Sequence, residues 1–140
     1  MIFFREADVS CSVLGKKRVG RWLKTVVESH KKQLGEVCVV SCSDEYLLDI
    51  NKIHLNHEYY TDIISFDYTE GDVVSGDLMI SFDRVRENAI KNRVGFQDEL
   101  RRVIVHGCLH LCGFNDKTNI EALKMRKEEN KALEKFHVEL

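Results

Sequence analysis

The sequence predicts an α+β fold, and three observations carry that expectation. Segments with apolar residues at helical spacing alternate with short β-branched runs. Two of those runs, residues 61–68 and 73–81, flank Glu70-Gly71-Asp72 and read as a hairpin. No proline, repeat or low-complexity tract divides the chain. A length of 140 residues suits one domain with a real core and is too short for two comfortable ones. The expected unit is therefore a single domain, residues 1–140. A hydrophobic share of 44% beside 31% charged residues argues against a disordered chain.

Taken in order, Ile2, Phe3 and Phe4 open a strand within residues 2–9. From Lys16 to Leu34, the residues Val19, Trp22, Leu23, Val26, Val27 and Leu34 recur at helical spacing, and Gly35 is placed to close the helix. Residues 36–42 are rich in valine and read as a buried strand. Ser43 or Asp44 then caps a helix carrying Tyr46, Leu47, Ile50 and Ile53, with acids in its first turn. His54 to Tyr60 is a polar and aromatic connection, in which His54 and His57 read as surface residues rather than a metal pair. After the hairpin, residues 81–94 form a helix with Val85, Ala89 and Ile90 apolar, ending near Gly95. The next helix starts around Phe96 and runs through Leu100, Val103 and Ile104 into a histidine motif. Asn119 caps a last helix, with Ala122, Leu123, Met125, Ala132 and Leu133 apolar, ending near His137.

Charge and cysteine content narrow the function classes. The net charge of −2 gives no global attraction to nucleic acid, but the charge is unevenly spread. Lys16, Lys17, Arg18, Arg21, Lys24, Lys31 and Lys32 crowd one segment, and Arg84, Arg86, Lys91, Arg93, Arg101 and Arg102 form a second. A polyanion could use these segments if folding places them on one face; solvated helix faces are the plain alternative. The opening residues mix charges into what would have to be an apolar signal region, and no run is apolar enough to span a membrane. The expected location is the cytoplasm. Five cysteines, an odd number, argue against a disulfide framework there. Cys38, Cys42, Cys108 and Cys112 could be drawn as a four-thiolate site, but Cys108 lies about 200° around the helix from His106. The cysteines are expected to be small apolar core residues.

The chemistry concentrates in His106-Gly107-Cys108-Leu109-His110-Leu111-Cys112-Gly113-Phe114-Asn115-Asp116. Two histidines four residues apart lie about 40° apart around a helix, so both imidazoles leave the same face and can share one ion. Gly113 is a natural C-terminal cap, after which the chain can fold back and bring Asp116 beneath the rings. Two nitrogens and one carboxylate describe an open site of the catalytic zinc kind, whose vacant position holds water. The spacing echoes the metzincin proteases, HExxHxxGxxH. Here, however, Gly107 stands where they carry a general-base Glu, and Asp116 where they carry a third His.

Three ordered motifs resemble the YbeY family of metal-dependent endoribonucleases. They are Thr61-Asp62-Ile63-Ile64-Ser65-Phe66, Gly76-Asp77-Leu78-Met79-Ile80-Ser81, and His106-Gly107-x-Leu109-His110-Leu111-x-Gly113-Phe114. The resemblance implies a zincin-like α+β fold: a small mixed sheet packed with helices, one of them bearing the His-x-x-x-His pair. It implies one bound metal, usually zinc, and a single-strand-specific endoribonuclease acting in ribosomal RNA maturation and ribosome quality control. The chain departs from the family pattern twice. Asp116 replaces a third histidine, and Asn56 to Tyr60 lack the arginine that members commonly carry before the Thr-Asp strand.

The expected ligand set is therefore His106, His110 and Asp116, holding one zinc ion or another divalent metal that activates a water. No catalytic side chain is assigned. Arg84, Arg86 and Arg93 are candidates for substrate contact by charge alone, and Asp62 and Asp77 for either a supporting role around the ligands or a capping or turn role. The expected partners are ribosomal RNA and the ribosome, with neither membrane nor DNA. Two other readings stand beside this one: a metzincin-like metallopeptidase, and a ribosome-associated binding module with a structural metal. A closed fourth ligand would favour the module, and an open position an enzyme.

Overall fold

The computed structural model describes residues 1–57 and 59–138. Its elements are β1 (Ile2–Glu6), α1 (Lys16–Ser29), β2 (Gln33–Cys42), α2 (Asp44–Leu55), β3 (Ile63–Asp67), β4 (Val73–Ser81), α3 (Phe82–Asn92), α4 (Phe96–Leu111) and α5 (Asn119–Val138). The fold is α+β, with a small mixed sheet in the order β1-β2-β4-β3. β1 and β4 both run parallel to β2, and only the β3–β4 hairpin is antiparallel. Gly71 turns that hairpin at φ 60°.

Alternation along the strands sorts the core into two unequal layers. Val37, Val39, Val74, Leu78 and Ile80 face one side, where they meet Val19, Leu23, Val26 and Val27 of α1 and Leu100, Ile104 and Leu109 of α4. On the other side Val40, Cys42, Ile64, Phe66 and Met79 pack with Leu47 and Ile50 of α2. Cys11, Cys42, Cys108 and Cys112 are buried, and all five thiols are free. Burial pushes the Cys42 thiol up to about 12, which makes it inert as a nucleophile or ligand.

Two predicted boundaries move. α1 stops at Ser29 instead of running to Leu34 and Gly35. The chain turns at Lys31, which takes φ 59° without a glycine. Leu34 pairs with Val74, and Gly35 lies inside β2 beside a bulge rather than closing a helix. Leu34 fits the helical periodicity by coincidence; pairing with β4 decides its conformation. At the other end the cap of α5 is Thr118, not Asn119. The Thr118 hydroxyl accepts from the Glu121 N–H while the Glu121 carboxylate accepts from the Thr118 N–H. That reciprocal arrangement is a capping box. Of the two cap candidates for α2 it is Ser43 that accepts from Tyr46 N, and at the start of α3 Ser81 accepts from Arg84 N.

The contact that positions everything near the histidines is the approach of α4 to β3 and β4. A Cβ at Gly107 would lie 2.6 Å from Ile63 Cδ1 and 2.9 Å from Leu78 Cδ2. Position 107 therefore faces the sheet, where any side chain has to displace the tips of Ile63 and Leu78. A Cβ at Gly76 would lie 2.4 Å from the Phe66 carbonyl and 2.8 Å from Leu111 Cδ2. Overpacking costs about 1–3 kcal/mol, and alanine returns up to about 1 kcal/mol of helix propensity at position 107. Gly107→Ala should thus lower stability by about 1 kcal/mol, and Gly76→Ala, which meets backbone, by more than about 2 kcal/mol. Denaturant unfolding of both variants checks that order.

Candidate metal centre

α4 ends in a glycine-dependent turn that builds one half of the site. Gly113, at φ 104°, follows Cys112. Its N–H reaches the His110 carbonyl at 3.0 Å, and the Phe114 N–H reaches the Leu109 carbonyl at 3.0 Å. Those two bonds define a Schellman motif, which needs a left-handed residue and so favours glycine. The turn aims the Phe114 carbonyl back at His110, whose Nδ1 donates to it at 2.9 Å. It also carries Asp116 to the histidine pair. Asp116 Oδ2 lies 3.2 Å from His106 Nε2 and 3.3 Å from His110 Nε2, and the two Nε2 atoms are 3.1 Å apart.

The other half comes from α5. Met125, Glu129, Ala132 and Phe136 form its buried stripe, and Glu129 is the one charged member. His106 Nδ1 donates to Glu129 Oε2 at 2.7 Å, and Arg102 donates to Glu129 Oε1 at 2.8 Å and to Asn130 at 3.0 Å. Sequence reasoning missed Glu129. The signal that finds it is an acid in an otherwise apolar helical stripe, a position that is rarely filled by an unpaired charge. Asp62 lines the cavity beside His106. Asp77 does not: its carboxylate accepts from the Tyr68 hydroxyl at 3.3 Å, and strand alternation puts it on the sheet face away from Leu78 and α4.

Protonation follows from these partners. A carbonyl and a carboxylate only accept, so each Nδ1 carries a proton, and in the neutral rings each Nε2 offers a lone pair to the site. Three acceptor atoms thus converge within about hydrogen-bonding distance, which requires positive charge between them. Zinc bonds of about 2.0–2.1 Å at tetrahedral angles separate ligand atoms by about 3.3–3.4 Å, close to the spacings observed. The donor set and its geometry therefore fit a divalent metal. Among the described residues this is the one group of three or more histidine, cysteine or acidic side chains with metal-ligand spacing, and it holds three members.

Electrostatics reinforce the cluster. Burial disfavours a charged His106, but the hydrogen bond and charge of Glu129, with the charges of Asp116 and Asp62, outweigh it and raise its pKa. Burial likewise works against an ionised Glu129, and the hydrogen bonds from His106 and Arg102 overcome it and lower its pKa. Burial lifts the Asp62 carboxyl above the ordinary range, against the pull of His106.

A groove of about 630 Å³ opens over the cluster, walled by Thr61 and Asp62 before β3, by Ile63, Ser65 and Asp67 of β3, by Asn51 of α2 and by His57 and Tyr59 after it. Lys117 also lines it, and Arg102 and Arg126 line the adjoining cavity. The arginines singled out by charge sit on α3 and its cap. Arg84 bonds Asp44 and Glu87, each at 2.8 Å, and lies over the Tyr60 ring. Arg86 lies over Phe96, and Arg93 caps α3 at φ 56°. Lys16, Lys17, Arg21 and Lys24 line a separate concavity with Met1, Ile2 and Phe4.

Fold and site together define the class: an α+β protein whose histidine-bearing helix presents a His/His/Asp group with metal-ligand spacing. A family model described as Endoribonuclease YbeY matches residues 5–137. Curated proteins named Endoribonuclease YbeY are similar over most of their length. The one from Parabacteroides distasonis is 47% identical, with 94% of this chain and 93% of the relative covered. That from Bacteroides thetaiotaomicron is 47% identical, covering 94% and 96%. That from Flavobacterium psychrophilum is 49% identical, covering 84% of each. A solution structure of a Thermotoga maritima protein superposes with a TM-score of 0.69 at 24% identity, over 97% of this chain and 89% of that one, and shares its fold. The chain belongs to the endoribonuclease YbeY family.

The His106–Glu129 pair gives the metal-free protein a defined pH signature. His106 has a raised pKa, so its contribution is fully present below 6.5 and is lost as pH rises through its folded value. Glu129 has a lowered pKa, so its contribution is fully present above 4.5 and is lost as pH falls through its folded value. The stability gap between the native protein and Glu129→Gln should therefore be widest between pH 4.5 and 6.5, as read from urea unfolding after chelation.

Proposed function

We propose that this protein is a metal-dependent endoribonuclease that cleaves single-stranded segments of ribosomal RNA during its maturation, working in the cytoplasm on or near the ribosome. Family membership supports the RNA-cleaving activity. The observation that carries the rest is the convergence of two imidazole nitrogens and a carboxylate in an open groove. His106 and His110 would hold the ion through Nε2 and Asp116 through its carboxylate. The proposed ion is zinc, and the carboxylate makes the site more hospitable to manganese than a third imidazole would. A bound divalent ion supplies Lewis acidity, polarising a phosphate oxygen and lowering the pKa of water.

The chain's own groups do the remaining work. Glu129 and the Phe114 carbonyl hold the Nδ1 protons, which fixes both ring tautomers and orientations. Asp62 lines the groove with its proton affinity raised by burial, which suits it to take up the proton released when water attacks phosphorus. Arg102 and Arg126 offset the carboxylates around the cluster. A peptidase reading lacks its base, because position 107 faces Ile63 and Leu78 and leaves no room for a glutamate. A purely structural metal is disfavoured by the three-member ligand set, since structural zinc sites are closed by four. No helix among the described residues is long and apolar enough to cross a membrane.

Asp116 decides the ligand assignment. Asp116→Ala should lower metal affinity by more than the about 10–100-fold typical of outer partners and abolish cleavage of single-stranded RNA. Asp116→His should restore much of both. Metal content by elemental analysis, paired with an RNA cleavage assay before and after chelation, reads the outcome. Wild-type metal affinity in the alanine variant overturns the assignment.

A further inference from the structure

The groove wall opposite the histidines is aromatic where a phosphate-binding site would be cationic. Among the groove-lining residues Asp62, Asp67 and Asp116 are acids, and Lys117 is the one lysine or arginine. A polyanionic backbone gains little from such a wall. The wall instead presents His57 and Tyr59, whose rings are stacked with centroids 5.1 Å apart and planes 20° apart. The Tyr59 hydroxyl lies 3.0 Å from His57 Nδ1, and Tyr59 remains 57% exposed.

A buried side chain holds this pair in place. Asn51, only 1% exposed, accepts the His57 N–H on its carbonyl at 3.1 Å and donates from Nδ2 to the Tyr59 carbonyl at 2.9 Å. Asn56 caps α2 at φ 55°, also through the Asn51 carbonyl. The neighbouring Tyr60 is otherwise engaged, its hydroxyl bonded to Glu45 at 2.6 Å and its ring under Arg84. Tyr59 is thus the pinned, half-exposed ring bordering the groove.

The geometry points to a base-stacking platform: Tyr59, backed by His57, takes one unpaired nucleobase of the RNA strand lying over the His106–His110–Asp116 cluster. This rests on the endoribonuclease reading above and specifies how that site holds its substrate. Stacking on an aromatic ring needs no particular base and requires the base to be unpaired. The platform therefore selects single-stranded RNA with little sequence preference. It also replaces backbone charge as the grip in this part of the groove, where Asn56 to Tyr60 carry no arginine.

The test uses the metal-loaded full chain and short single-stranded RNAs in which one nucleotide at a time near the cut is made abasic. Wild-type protein should lose about 5- to 100-fold in kcat/KM at one abasic position, the scale of one stacked base. Tyr59→Ala and Tyr59→Leu should lose a similar factor on the intact strand and nothing further at that position, while Tyr59→Phe and Tyr59→Trp retain activity. Unchanged metal content in all four variants separates the effect from damage to the ligand cluster. If Tyr59→Ala and Tyr59→Leu cut the intact strand as fast as wild type, the platform is overturned. So it is if no abasic penalty disappears in them. Failure of the metal-loaded wild type to cut any RNA overturns the endoribonuclease reading and the platform with it.

Discussion

The close approach of α4 to the β3–β4 hairpin is the constraint on which the site depends. With no side chain at Gly107, the helix backbone settles against Ile63 and Leu78. The helix presents its residues about 100° apart, so a sheet-facing position 107 turns His106 and His110 about 60–100° to one side, beside β3. The pair then occupies the open space bounded by β3, the post-helix turn and α5. A bulkier residue at 107 would tilt the helix and misdirect both rings together. The same glycine explains why the metzincin-like spacing of the motif does not bring metzincin chemistry. The position that holds a general base in those enzymes is spent here on packing.

The cluster itself is costly to assemble, since it gathers three lone pairs with Asp62 close by. Fixed partners on the far side of each ring make it stable. Glu129 and the Phe114 carbonyl remove the rings' freedom to rotate or change tautomer, so both Nε2 atoms point inward. Glu129 is tied to Arg102 in turn, and the buried acid is therefore compensated from two directions. A cation entering such a site meets ligands already oriented, and little ordering cost remains at binding. Replacing a third imidazole with Asp116 adds a negative charge, which should hold a proton more tightly on any coordinated water.

The groove extends this logic to the substrate. Its centre is built to receive positive charge and its wall is flat and aromatic, so phosphate and base are handled by different parts. Of the basic residues that look most nucleic-acid-like in the sequence, Arg102 lines the cavity beside His106 but is tied to Glu129, Arg84 is neutralised by Asp44 and Glu87, and Arg18 is engaged with Phe136. Counting charges along the chain therefore gives a poor map of where an RNA strand would bind.

Local features were legible from sequence because they are settled within a turn or two of backbone. The α+β class, the Gly71 hairpin, the cap of α2, the histidine-bearing helix and the Gly113 reversal all belong to this kind. The His106–His110 pairing did too, since helix geometry alone puts the two rings on one face. What spacing could not supply was partnership across the fold. Leu34 satisfied a helical period yet joined a strand, because β4 offered it hydrogen bonds. Glu129 lies 23 residues beyond His106 and meets it only because α5 packs on α4. His57 and Tyr59 read as a surface connection until β3 and α4 formed the other walls of their groove. The sequence by itself determined the histidine-bearing helix and the turn after it, by short-range backbone geometry. The tertiary structure alone decided what orients the ligands and what faces them, because those contacts depend on which elements pack together.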